Sequence, residues 1–270
     1  MRKTIKMPSM SNVGAGQTAT LNCPVGLTYD VISLEYSGKK ADTTTDITLD
    51  DLQNIEVRVN GKTIQTFKDG LELDRINQYH GRGAANGIIN IWFVRPEMAN
   101  LRDQRLTALG TADVQTLSVH VDGETTLDSL SLSAKAVQSE PQNMGAIVKV
   151  KAFPASFAVS GEVEIDNLPR SGGVMIGCIH LFKADVSNVE VEVNSIKAFD
   201  STKIYSEEMQ TRYNKTPQTA TATHIDFMLE GDLAQAMDTR GVQDFRIRPT
   251  LDTSGAVRTV VEYIDGFAGI

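Results

Sequence analysis

The sequence of 270 residues contains little cysteine. Only Cys23 and Cys178 are present, they lie in different halves of the chain, and both are outside any metal-type spacing. A scaffold held together by disulfides needs more cysteines than this, and a zinc site needs closely spaced ligands. We therefore expect two reduced, buried thiols and synthesis in a cytoplasm.

Long hydrophobic runs are also missing. The two most apolar stretches, residues 87–94 and 172–182, have the length of buried strands. Both fall short of the ~20 apolar residues that a membrane-spanning helix requires. The N-terminus has no apolar segment like that of a signal peptide. We expect neither secretion nor a membrane-spanning helix.

Positive charge is scarce. The chain has 26 basic and 34 acidic residues, and its formal net charge is −8. A protein that coats nucleic acid needs a basic surface to neutralise phosphates, so direct nucleic-acid binding is not expected. The one basic cluster, Arg2, Lys3 and Lys6, could attract an anionic lipid surface with about 1 kcal/mol per charge. The alternative is a solvated tail that happens to be basic.

Patterns that carry catalysis are absent as well. No G-x-S-x-G nucleophile elbow is present. The acidic pairs Asp50-Asp51 and Glu207-Glu208 have no support as general acid/base pairs, and they fit solvated faces or loose calcium ligands. We predict no catalytic and no cofactor-binding residue, and metal ligands stay unassigned. The histidines are far apart in sequence, without partners at metal-ligand spacing, and are predicted to be structural: His80, His120, His180 and His224.

What the chain does contain is an internal repeat. Residues 54–60 (NIEVRVN) match residues 188–194 (NVEVEVN) at an offset of 134, and the same offset aligns Ile91 and Phe93 with Ile225 and Phe227. Matches that keep their order along the chain indicate one domain type built twice. We predict that Val57 is equivalent to Val191, and Phe93 to Phe227. Further matches pair residues 18–24 with 162–169 and residues 114–120 with 242–248.

Inside the matched blocks, apolar residues occupy every second position, which is the period of a half-buried strand. Each half has roughly eight strand candidates over about 130 residues, the size of an eight-stranded jelly roll. The predicted fold is therefore all-β, with two tandem jelly rolls. Asn60-Gly61 and Asp69-Gly70 have the composition of hairpin turns.

Each half also has one short helix candidate in the same inter-strand loop, near residues 98–109 and 233–237. We place the N-terminal jelly roll, with its basic N-terminal arm, at residues 1–140 and the C-terminal one at residues 141–270. The linker is predicted between Val137 and Met144, because this stretch is polar and contains a proline.

Several segments resemble the double jelly-roll major capsid proteins, most closely those of the corticoviruses. These are tailless icosahedral marine phages with a lipid membrane beneath the protein shell. VRPEM and IDFMLEGD are the most specific of the segments. The likeness extends over the whole chain and includes residues 27–32, 94–98, 225–232 and 260–263.

The resemblance implies a structural protein of the virion capsid, made in the host cytoplasm, and not an enzyme. Homotrimers would form pseudo-hexameric capsomers that tile an icosahedral shell over an internal membrane. Minor capsid and vertex proteins would be further partners, and the membrane could be contacted through Arg2, Lys3 and Lys6. The resemblance requires no cofactor, although structural calcium accompanies such capsids.

Two alternatives belong to other classes. A carbohydrate-binding or glycan-hydrolysing double jelly roll is the runner-up, because a fold does not decide a function. A metal-dependent bicupin requires an H-x-H pattern with a following glutamate, which is absent. For the capsid interpretation, the stretches after Gly38 and Asp200 are expected to supply much of the contact between copies.

Overall fold

A computed structural model describes residues 2–170 and 172–270. The chain divides into two compact units, one ending at Val150 and the other beginning at Lys151. Among the described residues, no helix is both long and apolar enough to cross a membrane.

The first unit consists mainly of two four-stranded antiparallel sheets, in the orders β1-β9-β3-β6 and β2-β8-β4-β5. Two sheets with this strand order form an eight-stranded jelly roll. Its strands are β1 (Lys3–Lys6), β2 (Thr18–Cys23), β3 (Thr28–Lys40), β4 (Leu52–Val59), β5 (Lys62–Asp69), β6 (Ile88–Trp92), the short β7 (Leu109–Gly110), β8 (Leu117–Gly123) and β9 (Leu127–Ser139).

The second unit repeats this plan strand for strand, with sheet orders β10-β18-β12-β15 and β11-β17-β13-β14. The prediction of two tandem jelly rolls is confirmed. The strands are β10 (Ile147–Phe157), β11 (Gly161–Glu162), β12 (Met175–Phe182), β13 (Val186–Val193), β14 (Ile196–Thr202), β15 (Thr223–Asp226), the short β16 (Met237–Asp238), β17 (Phe245–Leu251) and β18 (Gly255–Asp265).

Strand register confirms the predicted equivalences. Val57 on β4 lies opposite Val119 on β8, and Val191 on β13 lies opposite Ile247 on β17. All four side chains are buried, as the alternating pattern predicts.

Equivalent backbone hydrogen bonds confirm the predicted equivalence of Phe93 and Phe227. The N–H of Phe93 donates to the Asp30 carbonyl at 3.0 Å, and the N–H of Phe227 donates to the Gly177 carbonyl at 3.1 Å. Both phenylalanines follow the sixth strand of their unit, β6 or β15, and bond to the neighbouring strand, β3 or β12. Duplication therefore preserved register as well as strand order.

One predicted hairpin turn is confirmed and the other is wrong. Asn60 and Gly61 both have positive φ, 47° and 78°, as a type I′ turn requires. Asp69, in contrast, caps a helix: its side chain accepts from the N–H of Glu72. Gly70 opens this helix where the backbone passes close to Leu49, whose carbonyl oxygen would lie 2.6 Å from a Cβ.

The short helices after β6 and β15 are where the sequence places them, as α2 (Leu101–Leu106) and the 3-10 helix η2 (Leu233–Gln235). Two ten-residue helices were not predicted, α1 (Gly70–Tyr79) and α3 (Lys203–Arg212). Both carry many polar residues, which obscure the helical periodicity. A further 3-10 helix, η1 (Leu49–Asp51), precedes β4.

The linker lies two to three residues later than predicted. Val137 belongs to β9, where it pairs with Val31, so the connection between β9 and β10 is limited to residues 140–146. The division between the units falls inside β10, whereas the sequence places the domain boundary at residue 140. Cys23 and Cys178 are buried free thiols, as expected.

Candidate functional sites

The basic N-terminal cluster is part of the first sheet. Lys3 and Lys6 belong to the edge strand β1 and lie opposite Gln138 and Lys135 of β9. The side chains of Arg2, Lys3 and Lys6 remain exposed. Lys3 and Lys6 therefore lie on an ordered, positively charged strand edge, and Arg2 directly precedes it.

Arg2 also has a buried partner. Its Nε donates to Asp30 Oδ2 at 2.8 Å, and the Asp30 side chain is almost completely buried. Burial raises the pKa of Asp30, and the positive charges of Arg2 and Arg105 oppose that rise. A groove of about 260 Å³ lies beside this pair and is lined by Trp92, Val94, Pro96, Leu101, Gln104 and Arg105.

A second charged cluster surrounds Glu97, in the VRPEM segment. The carboxylate lies 3.0 Å from Arg95 Nη1, 3.6 Å from Arg82 Nε and 3.7 Å from His80 Nδ1. Burial alone raises the pKa of Glu97, but the positive charges of Arg82, His80 and Arg95 lower it to about 2. The cluster holds together the helix α1 end and the residues after β6, which is a structural role.

Three titratable side chains from separate strands meet inside the second unit. His180 Nδ1 lies 2.7 Å from His224 Nδ1, and His180 Nε2 lies 3.2 Å from Glu262 Oε1. All three are buried. The prediction that the histidines lack partners is therefore wrong, because β12, β15 and β18 are neighbours in the sheet although distant in sequence.

The hydrogen bonds define the tautomers of both rings. The Gln218 N–H donates to His224 Nε2, so the proton of neutral His224 lies on Nδ1. That N–H donates to His180 Nδ1, and His180 in turn donates its Nε2 proton to Glu262. This chain of hydrogen bonds connects three strands and the loop that contains Gln218.

His120 has a less enclosed setting on β8. The hydroxyl groups of Thr20 and Ser118 lie within hydrogen-bond distance of its two ring nitrogens. Burial lowers the pKa of His120, and Arg58 lowers it further. A structural role fits this setting, as the sequence predicts.

One member of each acidic pair, Asp51 and Glu208, forms contacts with its own neighbours. Asp51 accepts from the Thr48 N–H at 2.7 Å and lies 3.0 Å from Lys40 Nζ. Glu208 forms an exposed pair with Arg212, one helical turn later. These contacts account for both residues without a cation.

The topology defines the class of the protein. Two eight-stranded jelly rolls in one chain are also found in viral capsid proteins of low sequence identity. The atomic structure of Sulfolobus Turreted Icosahedral Virus matches with a TM-score of 0.72 at 13% identity, over 97% of this chain and 90% of the other. A capsid model of PBCV-1 virus matches with a TM-score of 0.64 at 10% identity, over 98% and 94%. These similarities establish the double jelly-roll fold.

Sequence models identify the family. The model of the viral coat protein P2 N-terminal domain matches residues 4–139, and that of the P2 C-terminal domain matches residues 147–267. The chain belongs to the P2 family of viral coat proteins.

A relative supports the same assignment over the full length. The major capsid protein P2 of Pseudoalteromonas phage PM2 is 31% identical over 271 residues, covering 98% of this chain and 97% of that protein. The crystal structure of the PM2 protein has a TM-score of 0.92 at 30% identity and full coverage of both chains. The resemblance read from the sequence is confirmed.

The relatives also decide between the classes of function. They are structural coat proteins, which confirms the prediction that the chain is not an enzyme. The carbohydrate-binding or glycan-hydrolysing alternative has no support, because these relatives are capsid proteins.

Proposed function

We propose that this chain is the major capsid protein of an icosahedral virion that encloses a lipid membrane. The observation that carries the proposal is the full-length match to the major capsid protein of phage PM2, in sequence and in fold. A coat protein acts through its surfaces, by contacts with neighbouring copies. Electron microscopy of particles formed by the purified chain tests the proposal.

The proposed building block is a homotrimer. A shell lattice consists mostly of tiles with six neighbours, and three chains with two similar jelly rolls supply six rolls under closed cyclic symmetry. Such an obligate contact is expected to bury more than ~2,000 Å². Light scattering at micromolar concentration should give three times the 29.4 kDa of one chain. A stable monomer would contradict this building block.

We further propose that the charged edge of β1 contacts the anionic surface of the membrane. Lys3 and Lys6 are exposed on this edge, whereas Arg2 is also held by Asp30. The double variant Lys3→Glu, Lys6→Glu should lose flotation with anionic vesicles, because each reversed charge removes an attraction of about 1 kcal/mol and adds a repulsion. Lys68→Glu, on an exposed lysine of β5, is the matched control. Equal flotation of all three proteins would contradict the contact.

The remaining expectations stay proposals. They are synthesis in a host cytoplasm, partnership with minor capsid and vertex proteins, and structural calcium. Chelation tests the last of these: particles that keep their sedimentation rate in EGTA do not depend on calcium. Cross-linking within intact particles, followed by mass spectrometry, tests the minor partners.

A further inference from the structure

The two equivalent helices α1 and α3 differ in how they are covered. α1 buries seven of its ten residues, and the segment between β3 and β4 passes over its start at Leu49. In the second unit the corresponding connection between β12 and β13 is only residues 183–185. α3 therefore buries only Ser206 and Gln210. The second unit therefore has a helix, α3, with one face that the rest of the chain does not cover.

The open face of α3 combines large apolar side chains with a carboxylate that has an unpaired oxygen. Ile204 is 82% exposed and Tyr205 is 63% exposed, which is unusual for side chains of this size. Glu207 and Glu208 follow Ile204 by three and four positions, so they lie on the same side of the helix. Glu207 Oε1 is shielded from solvent and accepts no hydrogen bond from the described residues. The Glu207 residue as a whole is only partly buried, so a cation that approaches its carboxylate from outside would offset the cost of this unpaired oxygen.

An apolar groove of about 280 Å³ adjoins this face. It lies between β14, α3 and the residues after β15, and Tyr205 forms part of its wall. Asp200 adds another carboxylate at its edge. The other apolar walls are Phe199, Met209 and Leu229.

The first unit carries a surface with the complementary character, on α2. Leu101 is 59% exposed and Leu106 is 47% exposed. Residues four positions apart lie on the same side of a helix. Leu101 is therefore next to Arg105. Arg102 is next to Leu106, so each leucine is beside a guanidinium group. Arg102 forms no hydrogen bond or ion pair with the part of the chain that the structure describes.

We propose that α2 of one copy packs against α3 of a neighbouring copy in the assembled capsomer. Leu101 and Leu106 cover Ile204 and Tyr205, and Arg102 pairs with Glu207. The inference rests on the proposed self-assembly and specifies which surfaces meet. Because the two surfaces differ, the contact is head-to-tail, and in the proposed trimer three such contacts form a closed ring.

Charge reversal tests the pairing. Arg102→Glu and Glu207→Arg should each raise the concentration at which half of the chains are assembled by about tenfold or more, since like charges then face each other. The double variant should recover assembly, because every contact again pairs opposite charges. Arg240→Glu reverses an exposed arginine outside both surfaces and should leave assembly unchanged. Sedimentation velocity measures all four proteins.

A mixture of the two single variants provides a second check. In a ring of three, at least one contact must join two chains of the same variant, and that contact keeps its repulsion. The mixture should therefore form fewer closed trimers than the double variant. Loss of assembly in the double variant as well, or no loss in either single variant, would overturn the pairing.

A disulfide tests the contact directly. In the double variant Leu106→Cys, Ile204→Cys, mild oxidation should link chains into covalent dimers and trimers on a non-reducing gel. Leu106→Cys with Ile196→Cys, on an exposed residue of β14, should not cross-link. The native Cys23 and Cys178 are buried and do not interfere. A trimeric protein that fails to cross-link overturns this inference alone, whereas a monomeric wild type overturns the proposed trimer.

Discussion

At the scale of single residues, Glu97 controls a buried charge cluster in the first unit. Its pKa, held at about 2, lies below the ordinary value of 4.5. A carboxylate with a lowered pKa stabilises the fold above its ordinary pKa, and this stabilisation, about 3 kcal/mol, is lost as the pH falls from about 4.5 towards 2. Glu97→Gln should cost about 3–5 kcal/mol at pH 7, because Arg82 and Arg95 lose the carboxylate.

Urea unfolding at pH 7 and pH 3 measures this effect. The difference in the free energy of unfolding between wild type and Glu97→Gln should shrink at pH 3. Glu35→Gln, at an exposed carboxylate that pairs with Lys135, is the control and should cost at most about 1 kcal/mol. An equal loss in both variants would contradict the role given to Glu97.

The buried histidine network makes a second prediction at this scale. His224→Ala removes the partner of His180 and of the Gln218 N–H. The loss of each of these two buried hydrogen bonds costs about 1–3 kcal/mol, so the free energy of unfolding should fall by about 2–4 kcal/mol. His120→Ala, in its more open setting, should cost less. Denaturant midpoints of the two variants decide whether this order holds.

At the scale of elements, the two equivalent hairpins differ in one turn residue. Asn194 and Ser195 have φ of 48° and 64°, the conformation that Asn60 and Gly61 adopt in the first unit. A serine in the left-handed region is strained, whereas glycine is not. Ser195→Gly should therefore stabilise the protein by about 1 kcal/mol, and Gly61→Ser should destabilise it by a similar amount. Thermal unfolding of both variants measures the pair, and a fall in stability for Ser195→Gly would contradict the argument.

At the scale of the whole molecule, assembly and stability should be linked. A chain that folds into an obligate oligomer gains stability with concentration, so its apparent Tm should rise between about 1 and 100 μM. Ile204→Asp, which places a charge on the open face of α3, should remove this dependence. Val159→Asp, at another exposed apolar residue of the second unit, should retain it. A Tm independent of concentration in the wild type would count against obligate assembly.

The sequence by itself determined the duplication, the all-β class and the strand positions. These features are local or periodic: Val57 and Val191 alternate with polar neighbours, and Asn60-Gly61 specifies its turn by backbone preference. The capsid family was also readable, because VRPEM and IDFMLEGD are specific segments. Polar helices such as α3 could not be predicted from the sequence. They lack an apolar stripe at helical spacing, and their stability comes from capping and packing instead.

Only the tertiary structure decided which distant residues meet. His224 follows His180 by 44 positions in the chain, and Glu262 follows it by 82. All three nevertheless lie on neighbouring strands of one sheet. The tertiary structure also decided which helix is exposed. α1 and α3 follow equivalent strands, but the connection between β12 and β13 is too short to cover α3. Sheet order and loop length set both outcomes, because they determine which side chains share a neighbourhood and which face remains for a partner.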